Sequence, residues 1–229
     1  MAGLQHNGRS LRGALSIAGQ LHHLGQPRLW LLALDGTDAL WVSDREQAWA
    51  QRIPAPRRQR YLRSRGLLRR QLAALLQLPA QEVPLHSPPG EAPSLAEGAG
   101  HVSLSHSRDQ LLLAWSPWPI GVDLEWHQRA IQAELLARRF FPAQEWQHLQ
   151  SVAPAERQAV VLESWVRKEA AIKWQRSSLA SDLRYWCWNA NLQQLQHLQQ
   201  GWQPACLTQV RNGWLCAVVG EAAEQGIWG

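Results

Sequence analysis

The pattern of apolar and polar residues divides the chain into alternating strands and helices. An apolar run over 27–36 predicts a buried strand, and residues 101–116 predict a hairpin that turns near 107–110. Apolar residues at helical spacing predict long helices over 55–78 and 155–175. The remaining predicted segments are irregular structure over 1–26, short helices over 43–53 and 130–141, a Pro/Gly-rich loop over 84–100, and a final hairpin of 208–211 and 214–219.

The order strand, short helix, long helix and hairpin occurs twice. The hairpins overlay at an offset of 103 residues, from Arg108 to Arg211, and the long helices at 100, from Ser64 to Ser164. This repeated order predicts an α+β fold of two pseudo-symmetric halves, each a small, mostly antiparallel sheet packed with helices. We expect the halves to be residues 1–117 and 118–229.

Composition narrows the kind of partner and the compartment. The formal charge is +5 and the pI about 9.7, which favours an anionic partner such as nucleic acid, a phosphorylated cofactor or an acidic protein. Three cysteines without C-x-x-C spacing argue against a disulfide framework or a zinc site. With no long apolar segment near the N-terminus, we expect a cytoplasmic protein that does not contact membranes.

Two acids lie two residues apart in "GVDLEWH" (121–127). On a strand, Asp123 and Glu125 point to one face and Val122 and Leu124 to the other. Charges on a half-buried strand are costly unless they are paired. They are explained either by a hard divalent cation such as Mg²⁺, which binds oxygen ligands, or by arginines across the interface between the halves.

Two further segments carry polar residues in suggestive positions. In "ESWVRKEAAIKW", Trp165, Glu169 and Lys173 follow one another at i, i+4 and i+8 on one helix face. An ordinary Glu–Lys surface pair explains that spacing equally well. "SLSHS" (103–107) places His106 at the mouth of the first hairpin, as a phosphate ligand or simply a polar turn residue.

Taken together, "SLSHS", "GVDLE" and "WVRKEAAIK" resemble the motifs of the 4′-phosphopantetheinyl transferases. The resemblance is to the larger single-chain group, typified by the surfactin-synthetase-activating enzyme, and runs from about Arg58 to Lys173. It implies the fold of two pseudo-symmetric α+β halves. It also implies an enzyme that transfers the 4′-phosphopantetheine arm of CoA to a serine of an apo acyl carrier protein, or of the carrier domains of polyketide and peptide synthetases, and releases 3′,5′-ADP.

The resemblance also implies roles for individual residues. Asp123, Glu125 and Glu169 would ligate Mg²⁺, and Glu169 would be the base, directly or through a bound water. Lys173 would act on the CoA phosphates in catalysis, and the residues that would bind CoA with it are Arg65, Arg69, Ser105 and His106. At the offset of 100, Arg69 overlays Glu169, which suggests a site between the halves. A single chain with both halves is expected to be a monomer.

One position departs from the family pattern. Many relatives carry G-K-P before the histidine motif, and that lysine helps to hold a CoA phosphate. Here the loop reads "SPPGEAPSL", with Glu91 at the lysine position. The resemblance therefore implies that other basic residues compensate or that CoA binds more weakly.

Two alternatives remain open at the level of sequence. The pI and the arginine-rich segment 57–70 suit a nucleic-acid-binding module without catalysis, although no nucleic-acid motif is present. A metal-dependent phosphodiesterase could use the same carboxylates, but such sites commonly need more Asp and His ligands.

Overall fold

Four helices of the described residues fall close to where the sequence predicts them, and two short ones were not predicted. The computed structural model describes residues 25–36 and 41–229, so most of the segment predicted as irregular, residues 1–24, lies outside the described part. The helices are α1 (Asp44–Ala50), α2 (Ala55–Leu76), α3 (Ala133–Phe140), α4 (Ala143–Ser151), α5 (Arg157–Gln175) and α6 (Leu179–Asp182). None of the helices in these two ranges is long and apolar enough to cross a membrane.

Eleven strands are found in the same ranges. They are β1 (Arg28–Ala33), β2 (Leu85–His86), β3 (Ser94–Leu95), β4 (His101–Ser107), β5 (Gln110–Ser116), β6 (Ile120–Trp126), β7 (Trp186–Asn189), β8 (Gln194–His197), β9 (Cys206–Arg211), β10 (Trp214–Gly220) and β11 (Ile227–Trp228). Both predicted hairpins are present as β4–β5 and β9–β10. The predicted loop over 84–100 holds the short β2–β3 pair, and the β7–β8 hairpin was not predicted.

Two sheets repeat one arrangement. The first has the order β11-β1-β5-β4 and the second β6-β10-β9, so β5 and β10 are each flanked by antiparallel strands. The predicted α+β class with small, mostly antiparallel sheets is therefore confirmed. The last strand, β11, pairs in parallel with β1, which brings the end of the chain into the first sheet. The division at residue 117 stays a prediction.

Each central strand, β5 and β10, packs one face against a long helix and the other face against the opposite sheet, which gives four layers. Successive side chains of a strand point to opposite faces. On β5, Leu111 and Leu113 pack against α2, while Leu112 faces the second sheet. On β10, Ala217 packs against α5 and Val218 faces the first sheet. The result is a helix–sheet–sheet–helix sandwich, which explains why both central strands are almost entirely apolar.

The two long helices correspond at an offset of 99 residues, not 100. Their C-caps, Gln77 and Arg176, both have left-handed backbone, with φ of 54° and 58°. Each long helix also has a buried cation paired with a carboxylate of a preceding short helix, namely Arg69 with Glu46 and Lys168 with Glu145. The predicted overlay of Arg69 on Glu169 is therefore wrong by one position. The residue of the second half that corresponds to Arg69 is Lys168.

Candidate active site

The two acids of β6 lie where the sheets meet, because β4 runs beside β6. Asp123 is 3% exposed, and its Oδ1 accepts hydrogen bonds from Ser105 Oγ at 2.7 Å and from Lys173 Nζ at 2.7 Å. Glu125 Oε2 accepts a hydrogen bond from Ser107 Oγ at 2.8 Å. The alternating serines of "SLSHS" thus hold the carboxylates that the next strand presents.

Gly121 explains how β6 comes so close to α5. A Cβ at this position would lie 2.0 Å from the Ala170 carbonyl oxygen and 2.3 Å from the Trp174 nitrogen. Only glycine leaves room for this approach of strand to helix backbone. The glycine that opens "GVDLE" therefore brings the β6 carboxylates beside the helix face that carries Glu169 and Lys173.

Glu169 lies in the field of the two β6 acids. Burial, followed by the negative charge of Asp123, raises the pKa of Glu169 to about 7, although Lys173 and a hydrogen bond from Trp165 oppose the shift. Repulsion from Glu125 adds to it. Three acids thus share one small region, and Lys173 offsets part of their repulsion.

The carboxylates are close together but not arranged as a metal centre. Within residues 25–36 and 41–229, no three His, Cys, Asp or Glu side chains form a group that could hold a metal ion. Lys173 engages Asp123, and Arg129, four residues after Glu125 in the chain, engages the Oε1 of Glu125. The donor type suits Mg²⁺, because all three groups offer carboxylate oxygens and their repulsion favours a cation. Binding would require at least one of the two ion pairs to open.

A cavity of about 380 Å³ adjoins this cluster and lies between the two long helices. Three cations line it, Arg65 from α2 and Lys173 and Arg176 from the end of α5. The loop before β4 contributes Glu91, and β4 contributes His101. A cavity with three full positive charges and one carboxylate favours an anionic ligand.

Arg65 is held rigidly at the wall of this cavity. It is 7% exposed, its Nε donates to the Ser87 carbonyl at 3.4 Å and its Nη1 to Ser64 Oγ at 3.1 Å. The guanidinium carbon lies 4.8 Å from the centre of the Tyr61 ring, which is a cation–π distance. Tyr61 in turn donates to the same Ser87 carbonyl at 3.0 Å. This arrangement fixes a positive charge with little freedom to move.

His106 lies at the exposed end of β4, close to the same positive charges. Its pKa is lowered by burial of the ring and by the charges of Arg60, Lys173 and Arg65, which outweigh its own backbone hydrogen bond. A bound anion would offset that repulsion. The structure thus brings Arg65, His106 and Lys173 into one electrostatic neighbourhood.

Arg69 is not part of this group. Its Nε binds Glu46 Oε2 at 2.6 Å, and its remaining nitrogens donate to the carbonyl oxygens of Ala80, Val83 and Leu85. The guanidinium is 3% exposed and does not line the cavity. Its hydrogen bonds anchor the segment after α2, so the structure gives Arg69 a structural role, and the predicted contact with CoA stays a prediction.

Sequence reasoning missed several residues around the site. Ser107 was overlooked although it repeats Ser105 two residues later, on the same strand face. Arg129 was overlooked as well, because it lies in the turn after β6 and no regular spacing links it to Glu125 on the strand. His101 and Arg176 had no signal in the sequence, because only the tertiary fold brings the start of β4 and the end of α5 to one cavity.

Comparison with known proteins decides the family. The model of the 4′-phosphopantetheinyl transferase superfamily matches residues 119–219, which contain β6, α5 and their carboxylates. A putative 4′-phosphopantetheinyl transferase of Synechocystis sp. is 31% identical over 76% of this chain and 75% of its own length. This chain belongs to the 4′-phosphopantetheinyl transferase superfamily.

Two other relatives of the superfamily are similar over different spans. The 4′-phosphopantetheinyl transferase HetI of Nostoc sp. is 32% identical over 63% of this chain and 66% of its own length. The 4′-phosphopantetheinyl transferase psf-1 of Bacillus pumilus is 45% identical over 32% of this chain and 30% of its own length. Membership of the family is thereby confirmed, whereas the larger single-chain subtype stays a prediction.

Proposed function

We propose that this chain transfers the 4′-phosphopantetheine arm of CoA to a serine of an apo carrier protein and releases 3′,5′-ADP. The observation that carries the proposal is the position of Lys173. Its Nζ binds Asp123 at 2.7 Å while its side chain lines the cationic cavity. Lys173 thus lies where the cationic cavity meets the acidic cluster of Asp123, Glu125 and Glu169.

The groups around the cavity suit the binding of the CoA pyrophosphate and the departure of 3′,5′-ADP. The serine hydroxyl forms a bond to the β-phosphorus of CoA, and the bond from that phosphorus to the oxygen of 3′,5′-ADP breaks. Arg65 and Lys173 would hold the pyrophosphate and offset the negative charge that grows on the leaving group. His106 would donate a hydrogen bond to a phosphate oxygen.

The attacking hydroxyl must also lose its proton. Glu169 is the proposed acceptor, through a carboxylate oxygen or a water bound to it, since it lies beside Lys173 and Asp123. Ser105 and Ser107 would orient Asp123 and Glu125 through the hydrogen bonds described above. Asp123, Glu125 and Glu169 would hold Mg²⁺, which supplies positive charge toward the phosphates.

The proposed partner is an acyl carrier protein or a carrier domain of a polyketide or peptide synthetase. Carrier proteins are usually acidic, and a chain of net charge +5 would attract them over a distance. The two sheets meet within one chain, which supports a monomer. The nucleic-acid alternative draws no support from the family matches, since all are named as transferases.

One experiment tests the proposal. The protein is mixed with CoA, Mg²⁺ and several apo carrier proteins, and the intact mass of each carrier is recorded. We expect the mass of phosphopantetheine to be added to at least one carrier and EDTA to prevent it. Asp123→Asn should abolish transfer, whereas Asp35→Asn, an exposed acid far along the chain from these motifs, should not. Absence of added mass on every carrier would refute the proposal.

A further inference from the structure

The acidic cluster of Asp123, Glu125 and Glu169 is paired with two cations from different parts of the fold. Lys173 extends from α5 and engages Asp123, whereas Arg129 lies in the turn between β6 and α3 and engages Glu125. Both cations offset the repulsion between the carboxylates. A divalent cation bound by the same carboxylates would do so too, and it competes with any side chain that occupies the oxygen it needs.

Asp123 can offer an oxygen to a metal ion without losing Lys173. Its Oδ1 accepts two hydrogen bonds, from Ser105 Oγ at 2.7 Å and from Lys173 Nζ at 2.7 Å. Its Oδ2 accepts no hydrogen bond from the residues that the structure describes. A carboxylate can bind a cation through one of its two oxygens. The pair of Lys173 and Asp123 therefore does not have to open.

Glu125 differs from Asp123, because both of its oxygens are occupied. Its Oε2 accepts a hydrogen bond from Ser107 Oγ at 2.8 Å, and its Oε1 is engaged by Nη1 of Arg129. Ser107 belongs to β4, and the pairing of β4 with β5 fixes its position. Departure of Arg129 would thus free Oε1 while Ser107 continued to orient the carboxylate. The pair of Arg129 and Glu125 is the one that has to open.

The side chain of Arg129 is held weakly enough to leave. It is 49% exposed, and within the described part of the chain its guanidinium has no hydrogen bond or ion pair other than that with Glu125. An exposed ion pair contributes little stability, because water and salt screen the attraction and two side chains lose freedom. The backbone N–H of Arg129 donates to the Trp126 carbonyl oxygen at 2.8 Å, so the turn keeps this bond when the side chain moves into solvent.

We infer that Arg129 is a displaceable counterion of Glu125, which neutralises this carboxylate in the free enzyme and gives up Oε1 to a divalent cation. The inference rests on the proposed function, which assigns Mg²⁺ to these carboxylates, and adds a residue that sets how tightly the cation binds. Because Arg129 and the metal ion compete for one oxygen, loss of Arg129 tightens metal binding. This sign excludes a merely structural role, since loss of a residue that builds the site weakens metal binding.

The test measures the binding of Mn²⁺, as a spectroscopic substitute for Mg²⁺, to the full chain by electron paramagnetic resonance of the free ion. The wild type is compared with Arg129→Gln and Arg129→Lys. We expect Arg129→Gln to bind Mn²⁺ about two- to fivefold more tightly, the range that loss of an exposed ion pair allows. Arg129→Lys keeps a cation beside Glu125 and should bind Mn²⁺ as the wild type does. Displacement of bound Mn²⁺ by Mg²⁺ should give the same order of affinities.

The matched control is Arg108→Gln. Arg108 is an exposed arginine in the turn directly after Ser107, its guanidinium carbon lies 5.5 Å from the centre of the Trp126 ring, and it forms no ion pair with a described residue. Its replacement should leave the Mn²⁺ affinity as in the wild type.

Three results would overturn the inference. Equal tightening of Mn²⁺ binding by Arg108→Gln and Arg129→Gln would show a general effect of charge. Unchanged or weaker binding in Arg129→Gln would show that Arg129 does not compete with the metal ion. If neither the wild type nor Arg129→Gln binds Mn²⁺, the competition does not exist, whereas the addition of phosphopantetheine to a carrier protein still decides the proposed function.

Discussion

The long helices α2 and α5 occupy equivalent places against their sheets, yet they use their charged residues differently. Both bury one cation on a carboxylate of a short helix, at matching positions 99 residues apart. Beyond that shared pair, α5 has Glu169 and Lys173 facing β6. With the same offset, position 173 corresponds to Ala74 of α2, which has no charge to offer.

This difference separates charges that build the fold from charges that can do chemistry. Arg69 and Lys168 are enclosed by protein, whereas the side chain of Lys173 is 32% exposed and lines a cavity. A ligand can therefore reach Lys173 but not Arg69 or Lys168. Helix α5 thus supplies Glu169, Lys173 and, at its end, Arg176. Helix α2 supplies Arg65 on the wall of the same cavity.

The largest expected effect comes from breaking the shared structural pair. Arg69→Ala leaves Glu46 buried without its cation, and removal of one member of a buried pair costs about 3–5 kcal/mol of unfolding free energy. Lys168→Ala should destabilise the fold in the same way through Glu145. Urea unfolding measures both losses.

A double replacement serves as the control for that prediction. Glu46→Leu combined with Arg69→Met removes both charges and should recover much of the stability, because a well-packed apolar pair avoids the desolvation cost. CoA affinity of the folded Arg69→Ala protein should match that of the wild type. If Arg69→Ala unfolds at the same urea concentration as the wild type but binds CoA poorly, the structural role given to Arg69 is wrong.

Most of the fold could be predicted because its signals are local. The 3.6-residue period of 55–78 and 155–175 depends on neighbouring residues, as does the polar turn between the two strand-forming runs of 101–116. The helix α4, with the polar sequence "AQEWQHLQS", was missed because its place is set by tertiary contacts, among them Glu145 with Lys168 and Ser164. The β7–β8 hairpin was missed for want of a clear alternating pattern.

The site was predicted less completely, for a physical reason. Asp123, Glu169 and Lys173 stand out because acids and a lysine fall at regular spacings in apolar segments. The role of Arg69 does not stand out, because a charged helix residue is ordinarily exposed and nothing in the sequence marks its enclosure by Glu46 and three carbonyl oxygens. Because the predicted helix offset was too large by one residue, Arg69 was overlaid on Glu169 instead of Lys168.

The next effect tests the residue that distinguishes the two helices. Lys173→Ala removes the cation that joins Asp123 to the cavity, and we expect transfer to fall about 100-fold, because one positioned charge of this kind contributes about 10²–10³ to a rate. Carrier modification followed by mass spectrometry measures the rate. Stability should fall less than in Arg69→Ala, since the side chain of Lys173 is partly exposed and solvent screens its pair with Asp123. A rate close to that of the wild type would show that the two helices do not differ in the proposed way.

A smaller effect compares the two left-handed C-caps. Left-handed backbone costs a residue with a Cβ about 1–2 kcal/mol, and glycine avoids this cost. Gln77→Gly should therefore raise the unfolding free energy by up to about 1 kcal/mol, given the greater chain entropy of glycine, and leave CoA affinity unchanged. Arg176→Gly should raise stability similarly but weaken CoA binding. Equal CoA affinity in the two variants would remove the functional difference between the caps.

The smallest effect concerns the acid that the first half contributes to the cavity. Glu91 lines the cavity with Arg65, Lys173 and Arg176, and its negative charge opposes the approach of phosphates. Because Glu91 is exposed, water and salt screen that repulsion, and Glu91→Gln should tighten CoA binding only about two- to fivefold. The gain in CoA affinity should shrink as salt is added. The control is Glu97→Gln, which removes an exposed acid that does not line this cavity. A Glu91→Gln protein that binds CoA more weakly than the wild type would mean that the carboxylate assists CoA binding, contrary to the repulsion we expect.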